Sequence, residues 1–314
     1  MLPDYVEALG DGLYAVDTGF VRPRFDAAYL IVDDRRAAFI DTGTNHAVPR
    51  LLAALAALGL PVDAVDWVIP THVHLDHAGG AGLLMQSLPR ARMAVHPRGL
   101  RHMVDPTALY AGATAVYGEE AMARSYGAPV GVDPSRASAT ADGMTLTLGQ
   151  RVLEFIDTPG HARHHHCIWD ARTRTWFTGD TFGLAYPELV NQRGRWVTPT
   201  SAPVQFDPEP LKASVSRLLA REPQALCVTH FGRVPNAPHL GQLLASQIDE
   251  MAAIGQRCRR AQDRHARLCD AMRAMYARRL AEHGFTDLEA GLALLADDVE
   301  INAQGLGAWL DRRA

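Results

Sequence analysis

His72, His74, Asp76 and His77 fall within six consecutive positions, directly after the apolar run Trp67–Pro70. A chain that carries this run must end a buried strand and let the following loop turn its polar side chains to a common point, because ionisable groups are buried only with partners. Side chains alternate along an extended segment, so His72 and His74 face the same side. Asp76 and His77 follow where the chain enters a helix ahead of Gly79 and Gly80. The loop therefore offers two sets of donors, one from the first two histidines and one from the Asp–His pair. Imidazole and carboxylate without thiolate suit zinc, iron or manganese. A single histidine reads as a structural residue, but this density of ligand-type side chains does not.

The flanking pattern predicts where that loop sits. Between Leu13 and Asp41, the runs LYAVD, AAYLIVDD and AAFIDTG alternate with turn residues and predict an antiparallel meander. Val48, Leu51, Leu52, Leu55 and Leu58 have helical spacing, and the strand WVIP follows. Beyond the loop come a helix around Leu83–Leu88, the strand MAVH, and helices to about Tyr126. The strands MTLTL, VLEFIDT, HCIWD and TWFTGD are next, then a helix over Pro208–Ala220 and the strand ALCVTH. This order predicts two α/β halves with their sheets face to face. His161 in TPGH, Asp180 in FTGD and His230 in VTH each end a strand, where a second set of loops would converge on the first.

Through Asp41 in DTG, the HVHLDH segment, His161, Asp180 and His230, all in family order, the sequence resembles the metallo-β-lactamase superfamily. The resemblance implies a four-layer αββα sandwich and a dinuclear site. It puts His72, His74 and His161 on one metal, Asp76, His77 and His230 on the other, and Asp180 between them. Asp41 becomes a carboxylate that orients a ligand, as metal-bound histidines require. In TPGHARHHHC, His165 takes the position of the family's second histidine and a supporting role. His164 and His166 are expected to be surface or packing histidines. Two divalent ions, zinc first with iron or manganese served by the same donors, would lie about 3.5–4 Å apart and generate a bridging hydroxide near neutral pH. Asp76 is then the catalytic residue that accepts or relays a proton. Tyr186 and His102 are substrate-pocket candidates, with weaker claims from Arg163 and the Pro199–Pro203 segment.

The resemblance is nearest to glyoxalase II-like hydrolases, which implies a small ester, thioester or lactone substrate. The C-terminal helices show no pattern matching the glutathione-binding region of glyoxalase II, so a glutathione thioester is not privileged. The first alternative is a mono-iron persulfide dioxygenase, although TFGLAYPEL lacks the RGCGR-like stretch expected there. A phosphodiesterase or nuclease of the same fold ranks lower, since 31 basic against 35 acidic residues leave a net charge of -4 and no field for nucleic acid. The four cysteines show no CxxC pair and the first residues show no signal peptide, which predicts a cytoplasmic protein. No run approaches a membrane span.

Residues 1–237 are expected to form the catalytic domain and 238–314 a helical extension. There Leu240, Leu244, Ile248, Met251, Ile254, Cys258, Leu268, Met272, Met275 and Leu280 recur at helical spacing, predicting one long helix or two in series. This stripe would cap the core or form a homodimer interface, with the intervening arginines as a solvated face. His239, His265 and His283 lack an acidic partner at metal-site spacing, so no ligand is expected in this region.

Overall fold

The computed structural model describes residues 1–235 and 237–313. Its contacts divide the chain into two units. The first comprises Met1–Asp157, His164–Gly179 and Gln224–Arg233, and the second comprises Thr158–Arg163, Asp180–Pro223 and Val234–Ala314.

In the first unit, seven strands form one sheet in sequence order: β1 (Val6–Gly10), β2 (Leu13–Asp17), β3 (Ala27–Asp33), β4 (Arg36–Ile40), β5 (Val65–Ile69), β6 (Arg92–Val95) and β7 (Ala137–Ala139). β2 to β4 are the expected antiparallel meander, β1 extends it by one antiparallel strand that the sequence pattern does not mark, and β4 to β7 run parallel. Parallel neighbours need crossovers. These are supplied by α1 (Val48–Ala57), by α2 (Leu75–Ala78) with α3 (Ala81–Ser87), and by α4 (Pro97–Val104), α5 (Thr107–Tyr117) and α6 (Glu119–Ser125). The second sheet contains β8 (Thr145–Leu148), β9 (Arg151–Asp157), β10 (His166–Asp170), β11 (Thr175–Gly179), β12 (Ala225–Val228) and β13 (Gly232–Val234), adjacent in that order.

Strand β3 is buried from Ala27 to Ile31 without alternation, because both faces of its sheet are covered. Ala28 and Leu30, with Phe39, Val68 and Met93, point to Leu51, Leu55 and Leu84 of the helices. Tyr29 and Ile31, with Ile40, Ile69 and Ala94, point instead to Leu148, Leu153, Phe155, Ile168 and Phe177 of the second sheet. Period-two alternation thus assigns each strand residue to one of two cores. Arg151 and Asp170, both buried, pair at the strand ends remote from the histidine loop. The result is an α/β sandwich with additional C-terminal helices.

The second unit holds α7 (Pro208–Leu219), α8 (Ala237–Cys258), α9 (Arg264–His283), α10 (Leu288–Leu294) and α11 (Ala296–Asp311). The stripe after Pro238 is two helices in series, as one of the two readings has it. Leu240, Leu244, Ile248 and Met251 of α8 are buried, as are Leu268, Met272, Met275 and Leu280 of α9. Helix α8 packs on α7 and α9, and α9 packs along α11. Gly305 of α11 lies so close to Ser201 that a Cβ would fall 1.4 Å from its carbonyl oxygen. Asn302 saturates that junction: it accepts from Ser201 N (2.6 Å) and Oγ (2.8 Å) and donates to Tyr276 Oη (2.7 Å). No helix among the described residues is long and apolar enough to cross a membrane.

His166 begins β10 and anchors the end of β5. Its Nε2–H donates to the Pro70 carbonyl (2.8 Å), which can only accept, so Nδ1 accepts from Thr140 Oγ1 (2.9 Å). The ring is buried, and burial pushes its pKa from 6.5 down to about 3. Of the two readings, surface or packing, packing holds. Below pH 6.5 the unfolded chain binds a proton that the folded chain refuses until about pH 3, so this group lowers stability as pH falls through that window. The contribution is at most about 1.4 kcal/mol per pH unit. His166→Gln should therefore cost less stability, relative to the parent, at pH 5 than at pH 7 in urea denaturation. A difference that does not change with pH contradicts a neutral buried ring.

Candidate metal centre

Asp41, the first residue after β4, is buried and adopts φ +56°. Its carboxylate collects donors from three segments. Oδ1 accepts from Thr71 N at 2.7 Å. Oδ2 accepts from Thr71 Oγ1, His77 Nδ1 and Thr229 Oγ1, each at 2.9 Å. One side chain thus ties the end of β5, the helix α2 and the end of β12 together. The following turn is tight: Gly43 has φ +63°, and a Cβ there would meet Thr18 and Ala47 within 3 Å.

With Nδ1–H given to Asp41, His77 turns Nε2 toward Asp76 Oδ2, 3.6 Å away. His230 is arranged the same way: Nδ1–H donates to the Phe25 carbonyl (3.1 Å), and Nε2 lies 3.5 Å from the same carboxylate oxygen. The three ligand atoms lie within 4.8 Å of one another. With each ring held at Nδ1, both Nε2 atoms face one carboxylate oxygen, and a divalent cation among these three atoms would take all of them as donors. Donors about 2.1 Å from a tetrahedral ion stand about 3.4 Å apart, close to the observed separations. The residues present therefore fit a divalent metal.

The rest of the loop adds donors beside this group. His72 Nε2 lies 2.9 Å from His74 Nδ1, and Thr71 Oγ1 stands 3.2 Å from His72 Nδ1. The rings of His72 and His77 are 4.0 Å apart. His165 stacks on His72 at 4.7 Å, and His164 packs edge-on to His74 at 5.4 Å. His164 and His165 are both buried. A Cβ at Gly179 would meet His165 Nε2 and Thr71 Oγ1 at 2.6 Å, so only glycine lets β11 end this close to them.

Asp26 is a member of this neighbourhood that the sequence reading overlooks. It is fully buried, accepts from Thr18 Oγ1 (2.9 Å) through Oδ2, and has no hydrogen-bond partner at Oδ1. Burial pushes its carboxyl up to about 7, against the pull of His230 and His77. It lies in the loop between β2 and β3, where neither period nor motif marks it. The only signal is an acidic residue directly before the apolar run 27–32.

In the second unit, His161 and Asp180 form a pair of their own. His161 Nδ1–H donates to the Thr200 carbonyl (3.2 Å), and Nε2 lies 3.4 Å from Asp180 Oδ2. Both residues are buried. Along the chain, Asp180 directly follows β11 and His161 lies four residues beyond the end of β9. Tyr186 is buried, with its hydroxyl 3.2 Å from Asp298 Oδ1 of α11. His102 sits half-buried in α4, accepting from Arg101 Nε (3.2 Å), and burial lowers its pKa. Neither belongs to a ligand group among the described residues. Arg163 is exposed, its backbone N–H donating to Gln205.

A sandwich of this kind with convergent His and Asp donors at its strand ends defines a metal-dependent hydrolase. The family model of the metallo-beta-lactamase superfamily matches residues 21–230, and the chain belongs to that superfamily. It is 25% identical over 75% of its length to the metallo-beta-lactamase fold-containing protein ST1585 of Sulfurisphaera tokodaii, covering 85% of that protein. It is 28% identical over 55% of its length to the acyl-coenzyme A thioesterase MBLAC2 of Gallus gallus, covering 63% of that protein. Among solved structures, it superposes on the metallo-beta-lactamase family protein TTHA1429 from Thermus thermophilus with a TM-score of 0.63 at 21% identity. That match covers 98% of this chain and 95% of the other, a likeness of fold.

Orienting carboxylates of this kind govern metal affinity about 10–100-fold. Asp41→Asn keeps a residue type that tolerates positive φ, yet removes the charge that holds His77. It should weaken zinc binding to the metal-stripped protein by that factor in competition with a chromophoric chelator. Unchanged affinity contradicts the orienting role.

Proposed function

We propose that the chain hydrolyses an acyl thioester, or a closely related ester or lactone, at a centre of two divalent ions, zinc first. His72, His74 and His161 would hold one ion, Asp76, His77 and His230 the other, and Asp180 both. The observation that carries the reading is the convergence of Asp76, His77 and His230, each imidazole pinned at Nδ1 by an acceptor so that Nε2 is presented. The chain path supports it as well, since His161 and Asp180 follow strands of the same sheet whose β12 precedes His230. Bound ions of this type lower the pKa of a water toward roughly 7 and polarise an acyl oxygen.

The chain's own residues supply the remainder. Asp76 is the one open member of its group, with its side chain 24% exposed while those of His77 and His230 are 0% and 5% exposed. Its carboxylate is placed to take up a proton at the solvent side. Thioesters rank first among the acyl substrates because a relative bears the name acyl-coenzyme A thioesterase. An acyl-transfer site needs no serine or cysteine nucleophile here, and Cys167 and Cys227 are buried within the second sheet.

Zinc-reconstituted protein, assayed on acyl-coenzyme A thioesters, aryl esters, lactones, β-lactams and phosphodiesters, should hydrolyse the thioesters fastest and lose activity to a chelator. Asp76→Ala should lower kcat/KM by at least 100-fold with an unchanged melting temperature. A folded Asp76→Ala variant of full activity, or turnover of phosphodiesters alone, overturns the proposal.

A further inference from the structure

We propose that His265, Cys269 and Glu300 form a separate site for a zinc-like divalent ion, on the exposed face where α9 meets α11. The sequence reading expects no ligand here, and the structure supplies the missing partner. Glu300 lies 35 residues from His265 in the chain, and helix pairing alone brings the two together. His265 and Cys269 stand one turn apart on α9, the spacing that puts two side chains on one face.

The geometry is that of a coordination shell. Three single atoms make a closed triangle: His265 Nε2 to Glu300 Oε2 is 3.2 Å, Cys269 Sγ to His265 Nε2 is 3.6 Å, and Cys269 Sγ to Glu300 Oε2 is 3.6 Å. With bonds of about 2.3 Å to sulfur and about 2.0–2.1 Å to nitrogen or oxygen, a tetrahedral ion sets its ligands about 3.5 Å apart where sulfur is involved and about 3.3 Å apart otherwise. All three observed edges fall near those values. Gln304 Nε2 donates to the other oxygen, Oε1 (2.7 Å), which itself stands 3.1 Å from His265 Nε2, so the carboxylate presents both oxygens to the imidazole.

The surroundings suit a cation and not a reactive thiol. On α9, Arg264 and Arg267 are engaged by Asp311 and Asp263, and Arg273, one turn beyond Cys269, acts on the thiol more weakly than the facing Glu300 carboxylate. Partial burial and the facing Glu300 carboxylate push the Cys269 thiol above its ordinary range, which makes it a poor nucleophile. A divalent ion reverses this by displacing the thiol proton to solvent. One thiolate and one carboxylate then balance its two charges, and His265 donates as neutral imidazole. The mixed S, N, O donor set favours zinc over magnesium or calcium, and three protein ligands leave a fourth position for water. Bound there, the ion would cross-link α9 to α11 and pin the C-terminal helix.

Cobalt(II) titration of the metal-stripped full chain tests this, because the proposed catalytic ligands contain no sulfur and only this site yields thiolate-to-cobalt charge-transfer absorption. The parent and Asp76→Ala should both show that band, with the amplitude of one thiolate-bound ion at saturation. Cys269→Ser and His265→Ala should each abolish it and bind one ion fewer, and Glu300→Gln should weaken the band's cobalt affinity at least tenfold. The positions are exposed or half-buried, and a far-ultraviolet spectrum confirms that each variant is folded. Absence of the band in the parent at saturating cobalt overturns the site, as does its persistence in Cys269→Ser or His265→Ala.

Discussion

The carboxylate of Asp41 is the constraint on which the first unit's site depends. It is buried, and its oxygens are satisfied there because Thr71, His77 and Thr229 all donate to it. Each donor belongs to a different stretch of chain, so satisfying one buried carboxylate fixes the relative positions of a loop, a short helix and a strand end. His77 is the donor whose other nitrogen is then left facing Asp76. The same device recurs with uncharged acceptors: the Phe25 carbonyl aims His230, and the Thr200 carbonyl aims His161. Backbone carbonyls at strand and loop ends thus do for two histidines what a side chain does for the third.

Much of this was legible in the sequence because it is local. HVHLDH and DTG pack their meaning into a few positions, and period-two alternation in LYAVD and AAYLIVDD reads directly as the meander. The partners of these motifs are not local. Thr229 meets Asp41 across 188 residues of chain, and no spacing rule announces that a threonine before His230 will donate to an aspartate after β4. Asp26 escapes notice for the same reason. β7 is missed because its three residues, Ala137–Ala139, are only partly buried and show no alternation.

The C-terminal helices show the same division. Leucine and methionine at helical spacing mark α8 and α9, which the structure buries, whereas α10 and α11 have weaker signals. Gly305 and Gly307 lie inside α11, and glycine inside a helix weakens its signal in the sequence. Here the glycine is required, since Gly305 admits Ser201 at closer than side-chain distance. The histidine reading of this region considers acidic partners near in sequence, whereas pairing of α9 with α11 brings Glu300 to His265 from 35 residues away.

The central proposal is that the oriented imidazoles and carboxylates of this chain would hold two catalytic metal ions. Anomalous diffraction at the zinc edge, from crystals of the zinc-reconstituted protein, tests it most directly. The account predicts two strong peaks bridged by Asp180, one contacting His72, His74 and His161 and the other Asp76, His77 and His230. No peak among these residues, or a single peak that leaves Asp76 and His230 without metal, would contradict it.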